Sequence, residues 1–202
     1  MKHIYLFAFA FAFALFLLGC QVTTQTTIGA LENEPEPVSE VTLEDVCHEF
    51  SCRENIVIKF KTEDGTFEQQ LALYWPRVFN DTISILPGES FLVEAELVDG
   101  KLVNLKEVKE NSNPAKTIAI DFQQMDDSVH MMLSVSNPFE NVALKFNMDM
   151  IDFTGTPHET SSCPILPRGS GFETWPHPIP ELVLTNPVTI DVSEMKTVNC
   201  VY

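Results

Sequence analysis

The stretch that decides the fold class is residues 142–150, which read VALKFNMDM. Every second residue from Val142 to Met150 is apolar, and most of the positions between them are polar. A period of two is typical of a β-strand with one face in a core. Met148 and Met150 invite a copper-site interpretation, but they share the apolar face with Phe146, so we interpret them as core packing.

The same pattern recurs on both sides of this stretch. Two hairpins are predicted before it, one turning at Glu63-Asp64-Gly65 and one at Asp99-Gly100, a favoured pair for a two-residue turn. The predicted strands flank these turns and continue to the C-terminus at residues 56–60, 67–75, 91–97, 102–108, 118–122, 129–135, 142–150, 182–184 and 188–192. No long helical periodicity interrupts them, so the sequence predicts an all-β protein.

Residues 154–187 break the pattern because they are rich in proline. We predict a long structured loop that packs over an end or edge of the sheet. Its Phe172, Glu173, Trp175 and His177 form a possible binding loop, since an aromatic and a histidine between prolines make a stiff contact surface. The alternative, which we favour for Trp175, is that its ring caps the core beneath the loop.

The predicted architecture is a β-sandwich, with an immunoglobulin-like arrangement as one option for the half that begins near Ala115. Such an analogy would carry no function. We divide the chain into residues 1–19 as a signal peptide, 20–46 as an acidic tether and 47–202 as a β-rich body, with a sub-boundary near 109–115 if the body is two domains.

The N-terminal residues indicate where the protein is targeted. Lys2 and His3 precede an unbroken apolar run over residues 4–18, which as a helix spans about 22 Å, whereas a bilayer core is about 30 Å thick. The run therefore favours a secretory signal over a membrane span.

This run ends in Leu17-Leu18-Gly19-Cys20, which resembles the lipobox of bacterial lipoproteins. The resemblance implies that a diacylglyceryl thioether forms on Cys20, that cleavage follows Gly19, and that fatty acyl chains such as palmitate anchor the protein in a membrane. More than one acyl chain suffices for stable anchoring. Gln21 stands where an Asp would resemble an inner-membrane retention signal, so an outer-membrane, lipid-anchored location is expected, on either the periplasmic or the cell-surface face.

The charge excludes one class of partner. The chain has 12 basic and 29 acidic residues, a net of -17, and the part after Gly19 is more acidic still because residues 1–19 contain one Lys and no acid. Nucleic acid is excluded, because polyphosphate binding needs clustered Lys and Arg. Residues 21–46 contain no basic side chain and few apolar ones, which indicates a solvated, flexible tether. Within the tether, Thr42 with Asp45 is placed to cap one helical turn.

Four cysteines remain after Cys20, an even number in an exported chain, so disulfides are expected. Of the three pairings we favour Cys47–Cys52 with Cys163–Cys200, since the first closes a short loop and the second pins the proline-rich segment to the C-terminus. The alternative, a metal site at Cys47, His48 and Cys52, has an uncommon spacing for zinc. We expect no metal and no cofactor.

Catalytic patterns are thin, and we assign no catalytic residue. Gly169-Ser170-Gly171 lacks the spacing of a nucleophile elbow, and Asp126-Asp127 is interpreted as a turn. The histidines show no metal-binding pair spacing, and we expect His130 to be exposed on a strand. Acid pairs are common at this net charge and do not indicate glycosidase chemistry.

The leading hypothesis is a non-enzymatic binding or envelope-assembly module with a protein or glycan partner. The alternatives are a periplasmic or surface hydrolase that acts on envelope material, and an inhibitor of a foreign hydrolase. A cleft with converging polar groups would favour the enzyme, whereas a flat face or a protruding Trp175 would favour binding.

Overall fold

The structure is a computed structural model that describes residues 41–126 and 128–193, together with residues 195, 197, 199 and 200. The predicted signal segment, the predicted lipobox with Cys20, the predicted tether up to residue 40, and Asp127 of the expected Asp126-Asp127 turn lie outside the described residues.

One short helix and twelve strands make up the regular structure of the described chain. Their bounds are α1 (Leu43–Glu49), β1 (Arg53–Thr62), β2 (Gly65–Tyr74), β3 (Val78–Phe79), β4 (Thr82–Ile85), β5 (Glu89–Val98), β6 (Lys101–Val108), β7 (Thr117–Gln124), β8 (Met131–Ser136), β9 (Val142–Ile151), β10 (Pro157–Thr160), β11 (Ser170–Trp175) and β12 (Glu181–Asp191). The protein is therefore all-β, as its alternating sequence predicts.

The predicted hairpins form with the predicted turns. Thr62 pairs with Gly65 at the end of the β1–β2 hairpin, and Val98 pairs with Lys101 at the end of β5–β6. Asp99 and Gly100 both have positive φ, 49° and 74°, which is the conformation that a two-residue type I′ turn requires. This turn matches the right-handed twist of the strands on either side of it.

Ten strands form one antiparallel sheet that folds over into a sandwich. Its strand order is β10-β9-β12-β6-β5-β7-β8-β11, and β4 pairs with both β12 and β3. The two halves of this strand order, β10-β9-β12 and β6-β5-β7-β8-β11, are joined by a single residue pair, Val188 of β12 with Lys101 of β6. The core draws buried side chains from both halves, among them Ile83, Phe122, Leu144 and Leu182, and Met148 lies in it as expected.

Residues 154–187 are not the single loop that their prolines suggest. They contain β10, β11 and the first part of β12, which pairs with β9 from Glu181 to Asp191. The prolines lie where strands tolerate them: Pro157 begins β10, and Pro187 falls within the register irregularity of β12 between Thr185 and Val188. The segment does not pack over the sheet as a loop but extends it, since β10 pairs with β9 at one end and β11 with β8 at the other.

The β1–β2 hairpin is a two-stranded sheet of its own, and its Arg53 side chain donates a hydrogen bond to the Ser84 hydroxyl of β4. Ile83 and Ile85 of β4 belong to the sandwich core, whereas Leu86, just after β4, packs with Ile58 and Phe60 of β1 in a separate apolar cluster. The region near β4 is thus covered on both faces, once by the sandwich and once by the hairpin.

Both disulfides form in the favoured pairing. Cys47–Cys52 joins α1 to the start of β1, and Cys163–Cys200 closes a loop with a sequence separation of 37. The helix begins at the expected cap, where the Thr42 hydroxyl accepts the Asp45 N–H at 3.2 Å and the Asp45 carboxylate accepts the Thr42 N–H at 3.2 Å.

Across the described part of the chain, no helix reaches the length and apolarity that a membrane crossing needs.

Candidate binding groove

The four residues of the expected binding loop do not form one contact surface. Trp175 is only 5% exposed, donates its indole N–H to the Thr160 hydroxyl at 2.6 Å, and meets Phe122 edge to face. It is a core residue, which confirms the interpretation that we favoured. His177 is exposed, and Phe172 is 64% exposed on the outer face of β11.

Glu173 faces inward and acts locally. Its carboxylate accepts the Cys163 N–H at 2.9 Å and the Ser161 hydroxyl at 3.2 Å, so it holds the segment after β10 against the edge of β11. The cavity beside it is apolar and has a volume of about 40 Å³, lined in part by Leu133, Phe146 and Ile165. Such a volume accommodates a few water-sized groups and no larger ligand.

The histidines do not come together in one site. His130 is exposed just before β8, as expected, and His158 lies on β10, where its Nε2 is 2.9 Å from the Asp152 carboxylate. Hydrogen bonds from Thr154, from His158 and from the Thr156 backbone hold the pKa of Asp152 well below its usual value. The described residues contain no group of three or more His, Cys, Asp or Glu side chains arranged to hold a metal ion.

A buried polar cluster that we did not predict lies between the hairpin and the sandwich. Arg53 of β1 is 5% exposed and donates to the Trp75 carbonyl at 2.8 Å, to Glu89 at 2.7 Å and to the Ser84 hydroxyl at 2.6 Å. The Ser84 hydroxyl donates in turn to Glu181.

Two more groups complete this cluster. Tyr74 of β2 donates its hydroxyl to Glu181 at 2.5 Å, and Arg77 pairs with Glu89 at 2.9 Å. Burial raises the pKa of the Tyr74 hydroxyl far above its usual value, and the hydrogen bond to Glu181 raises it further. Burial lowers the pKa of Arg53, while the charges of Glu89 and Glu181 oppose that shift.

This cluster fastens the hairpin to the sandwich. Among the described residues, every fully buried side-chain nitrogen or oxygen has at least one hydrogen-bond partner. The members of the cluster come from five different strands or their ends, which is why no local sequence pattern indicated it.

The described residues form an open groove beside the junction of β12 and β6. We call it the seam groove and define it by its lining, which consists of residues 80–82, 100–103 and 185–189. Its volume is about 610 Å³, within the range of about 300–1,000 Å³ that ligand sites occupy.

Local backbone conformations shape the seam groove. Asn80 and Asp81 both have positive φ in the tight turn between β3 and β4, and Asn186 has a φ of 46° where β12 changes register. The change of register leaves room between β4 and β6, because β4 pairs with β12 only at residues 182–184. The Thr189 hydroxyl donates to the Gly100 carbonyl and holds the β5–β6 turn as the far wall.

The seam groove combines apolar floor with polar rim. Val188 is 50% exposed in it and Leu102 lies buried beneath, while Asp81, Lys101 and Asn186 stand exposed around them. After Lys101, no described strand pairs with β6 on this side, so main-chain groups of β6 border the groove. Of the seam groove, the sequence predicts only the Asp99-Gly100 turn. The dipeptide Asn186-Pro187 also indicates a turn and could have located a second part of the groove.

Comparison with protein-family models, with curated proteins and with solved structures finds no significant match.

Proposed function

We propose that the protein is a lipoprotein of the bacterial outer membrane, anchored through Cys20, whose β-sandwich is a non-enzymatic module that binds an extended segment of another envelope protein in the seam groove. The groove is the observation that carries the binding half of this proposal.

The lipobox at residues 17–20 supports the anchor. The two disulfides agree with it, because such bonds form and persist in oxidising compartments outside the cytosol. The acidity of the chain supports the choice of a protein partner over a nucleic acid.

A peptide segment fits the seam groove better than the substrate of a hydrolase or a glycan does. The 40 Å³ cavity near Glu173 is too small for a substrate, and no aromatic side chain lines the seam groove as a platform for a sugar ring. An extended peptide is recognised by main-chain groups together with pockets for alternate side chains. The border of β6 supplies main-chain groups, and the exposed Val188 supplies an apolar contact for a side chain of the peptide.

The anchor is tested by labelling with a radioactive fatty acid. The wild-type protein should incorporate the label and sediment with membranes, and Cys20→Ser should abolish the label. Continued labelling of the Cys20→Ser protein contradicts the anchor.

The binding role is tested by isolating the protein from solubilised envelopes together with its partner. Val188→Asp should release the partner, because it places a charge on the apolar floor of the groove. The matched control is Val57→Asp, which changes a strand valine of similar exposure, 55%, on the hairpin. Equal retention of the partner by both variants refutes the role of the groove.

A further inference from the structure

β2 is a long sheet edge without a partner strand among the described residues. It pairs with β1 from end to end, from Thr62 opposite Gly65 to Arg53 opposite Tyr74. On its other side no described strand pairs with it, and no backbone hydrogen bond from the described loops reaches it. Because alternate residues of a strand direct their N–H and C=O groups to opposite sides, about half of the ten residues of β2 present these groups at this edge.

β2 is less protected than the other edges of the described fold. β1, the second edge of the two-stranded sheet, carries Lys59 and Lys61, and the unpaired part of β6 borders the seam groove. β10 has four residues and begins with Pro157, and the edge of β11 is covered by the segment that Glu173 holds. Charged side chains, prolines, bulges and short length are the usual protections against edge-to-edge pairing. β2 contains no proline and no basic residue, and its ladder with β1 keeps one register, interrupted only at Asn55 of β1, which has a φ of 50°.

The apolar face of the hairpin is only partly covered. Ile58 and Phe60 of β1 are buried, but Phe67 and Leu71 of β2 are only half-buried, and Phe153, which contacts Phe67 at 5.2 Å between ring centroids, is 55% exposed. A two-stranded sheet is marginal in water and gains stability from further strands.

The low charge of β2 favours a second copy of the chain as its partner. Two copies of so acidic a chain repel one another, yet β2 contains a single charged residue, Glu68, and Lys59 of β1 already pairs with it at 2.7 Å. This edge is thus a place where two copies approach with little repulsion.

The sequence of β2 is self-complementary in antiparallel pairing. With Gln70 opposite Gln70 of a second copy, Phe67 lies opposite Leu73 of that copy, and Glu68 lies opposite Ala72 instead of another acid. Paired residues in an antiparallel ladder share a face, so the half-buried apolar faces of the two hairpins become continuous. We propose that two copies of the chain associate through their β2 edges in this register, forming a four-stranded sheet of the order β1-β2-β2-β1.

Cysteine cross-linking tests both the edge and the register. Directly opposite residues in an antiparallel pair have Cα atoms about 4.5–5.5 Å apart, within the range that a disulfide spans. The full-length protein with Gln70→Cys should give a dimer under mild oxidation, visible on a non-reducing gel and lost on reduction. The control is Glu68→Cys on the same face of the same strand, whose two copies would lie about 14 Å apart and should not cross-link.

A charge exchange gives a second readout that does not depend on oxidation. Gln70→Glu and Gln70→Lys each place like charges opposite one another, so each variant should sediment as a monomer where the wild type sediments as a dimer. Their mixture should restore a dimer that contains one copy of each. Gln70 is exposed, so these changes leave the fold intact.

Three results overturn the proposal: a monomeric wild type, equal cross-linking of Gln70→Cys and Glu68→Cys, or an undiminished dimer of Gln70→Glu. Pairing of β2 with a different protein or with the N-terminal segment of its own chain would produce the first of these. None of the three bears on the seam groove, which lies elsewhere in the fold.

Discussion

Replacing Arg53 by methionine tests whether the buried polar cluster fastens the hairpin. Methionine keeps most of the length of the side chain and removes the charge and all of its donors. Three hydrogen bonds disappear, those to the Trp75 carbonyl, the Ser84 hydroxyl and the Glu89 carboxylate. The side chain of Arg53 is 3% exposed, so water does not replace these bonds in place.

The expected cost follows from which partners remain satisfied. Removing one partner of a buried ion pair typically costs about 3–5 kcal/mol. We expect the lower end, about 3 kcal/mol, because Glu89 keeps Arg77 and Ser84 keeps Glu181, so that mainly the Trp75 carbonyl is left unpaired. A domain of this size loses roughly 2–4 °C in melting temperature for each kcal/mol, which gives a decrease of about 6–12 °C.

The measurement is denaturant unfolding of the purified protein, with Lys59→Met as the matched control. Lys59 also lies on β1 and also pairs with a glutamate at 2.7 Å, but its side chain is 62% exposed. Exposed pairs contribute at most about 1 kcal/mol, so Lys59→Met should shift the midpoint little. Equal shifts of the unfolding midpoint for the two variants would refute the argument that burial makes the Arg53 cluster contribute more to stability than an exposed ion pair does.

Three further predictions concern stability. Cys163→Ser with Cys200→Ser should cost roughly 4 kcal/mol in the chain-entropy model, against roughly 2 kcal/mol for loss of the short disulfide, and calorimetry of the two double variants measures the difference. Gly171→Ala should cost about 1–3 kcal/mol of unfolding free energy, because its Cβ would lie 2.7 Å from Cγ1 of the buried Ile165. Tyr74, whose pKa folding raises, should contribute stability that is full below its unfolded pKa of about 10 and decreases as the pH rises above it, so unfolding curves of Tyr74→Phe should show a smaller alkaline loss than those of the wild type.

The parts of the fold that the sequence predicts are those set by local rules. Alternation alone locates β9, and Asp99-Gly100 supplies the positive φ that its turn requires. The disulfides were predicted from an even cysteine count together with the expectation that the chain is exported. The prediction of a single loop over residues 154–187 was wrong because proline was interpreted as a loop signal. β11 has the alternation of a strand, with exposed Phe172 and Thr174 between inward-facing Glu173 and buried Trp175. The immunoglobulin-like arrangement stays a prediction.

The buried cluster could not be predicted because it depends on what covers β4. Ser84 lies between Ile83 and Ile85, and all three are buried, so β4 has no solvent face and its sequence resembles a simple apolar run. A polar residue in such a run indicates a second covering layer, but not which distant strand provides it. Here the layer is the hairpin, and its Arg53 meets the hydroxyl of Ser84.

The cluster and the β2 edge are mechanically coupled through the hairpin. Arg53 pairs with Tyr74 across the ladder, and Tyr74 ends β2, so the bonds of these two residues to Ser84 and Glu181 set the position of the whole hairpin on the sandwich. A hairpin released from the sandwich is a two-stranded sheet of marginal stability and presents its edge less rigidly. Arg53→Met combined with Gln70→Cys should therefore cross-link less than Gln70→Cys alone, and undiminished cross-linking would show that the edge pairs without the support of the cluster.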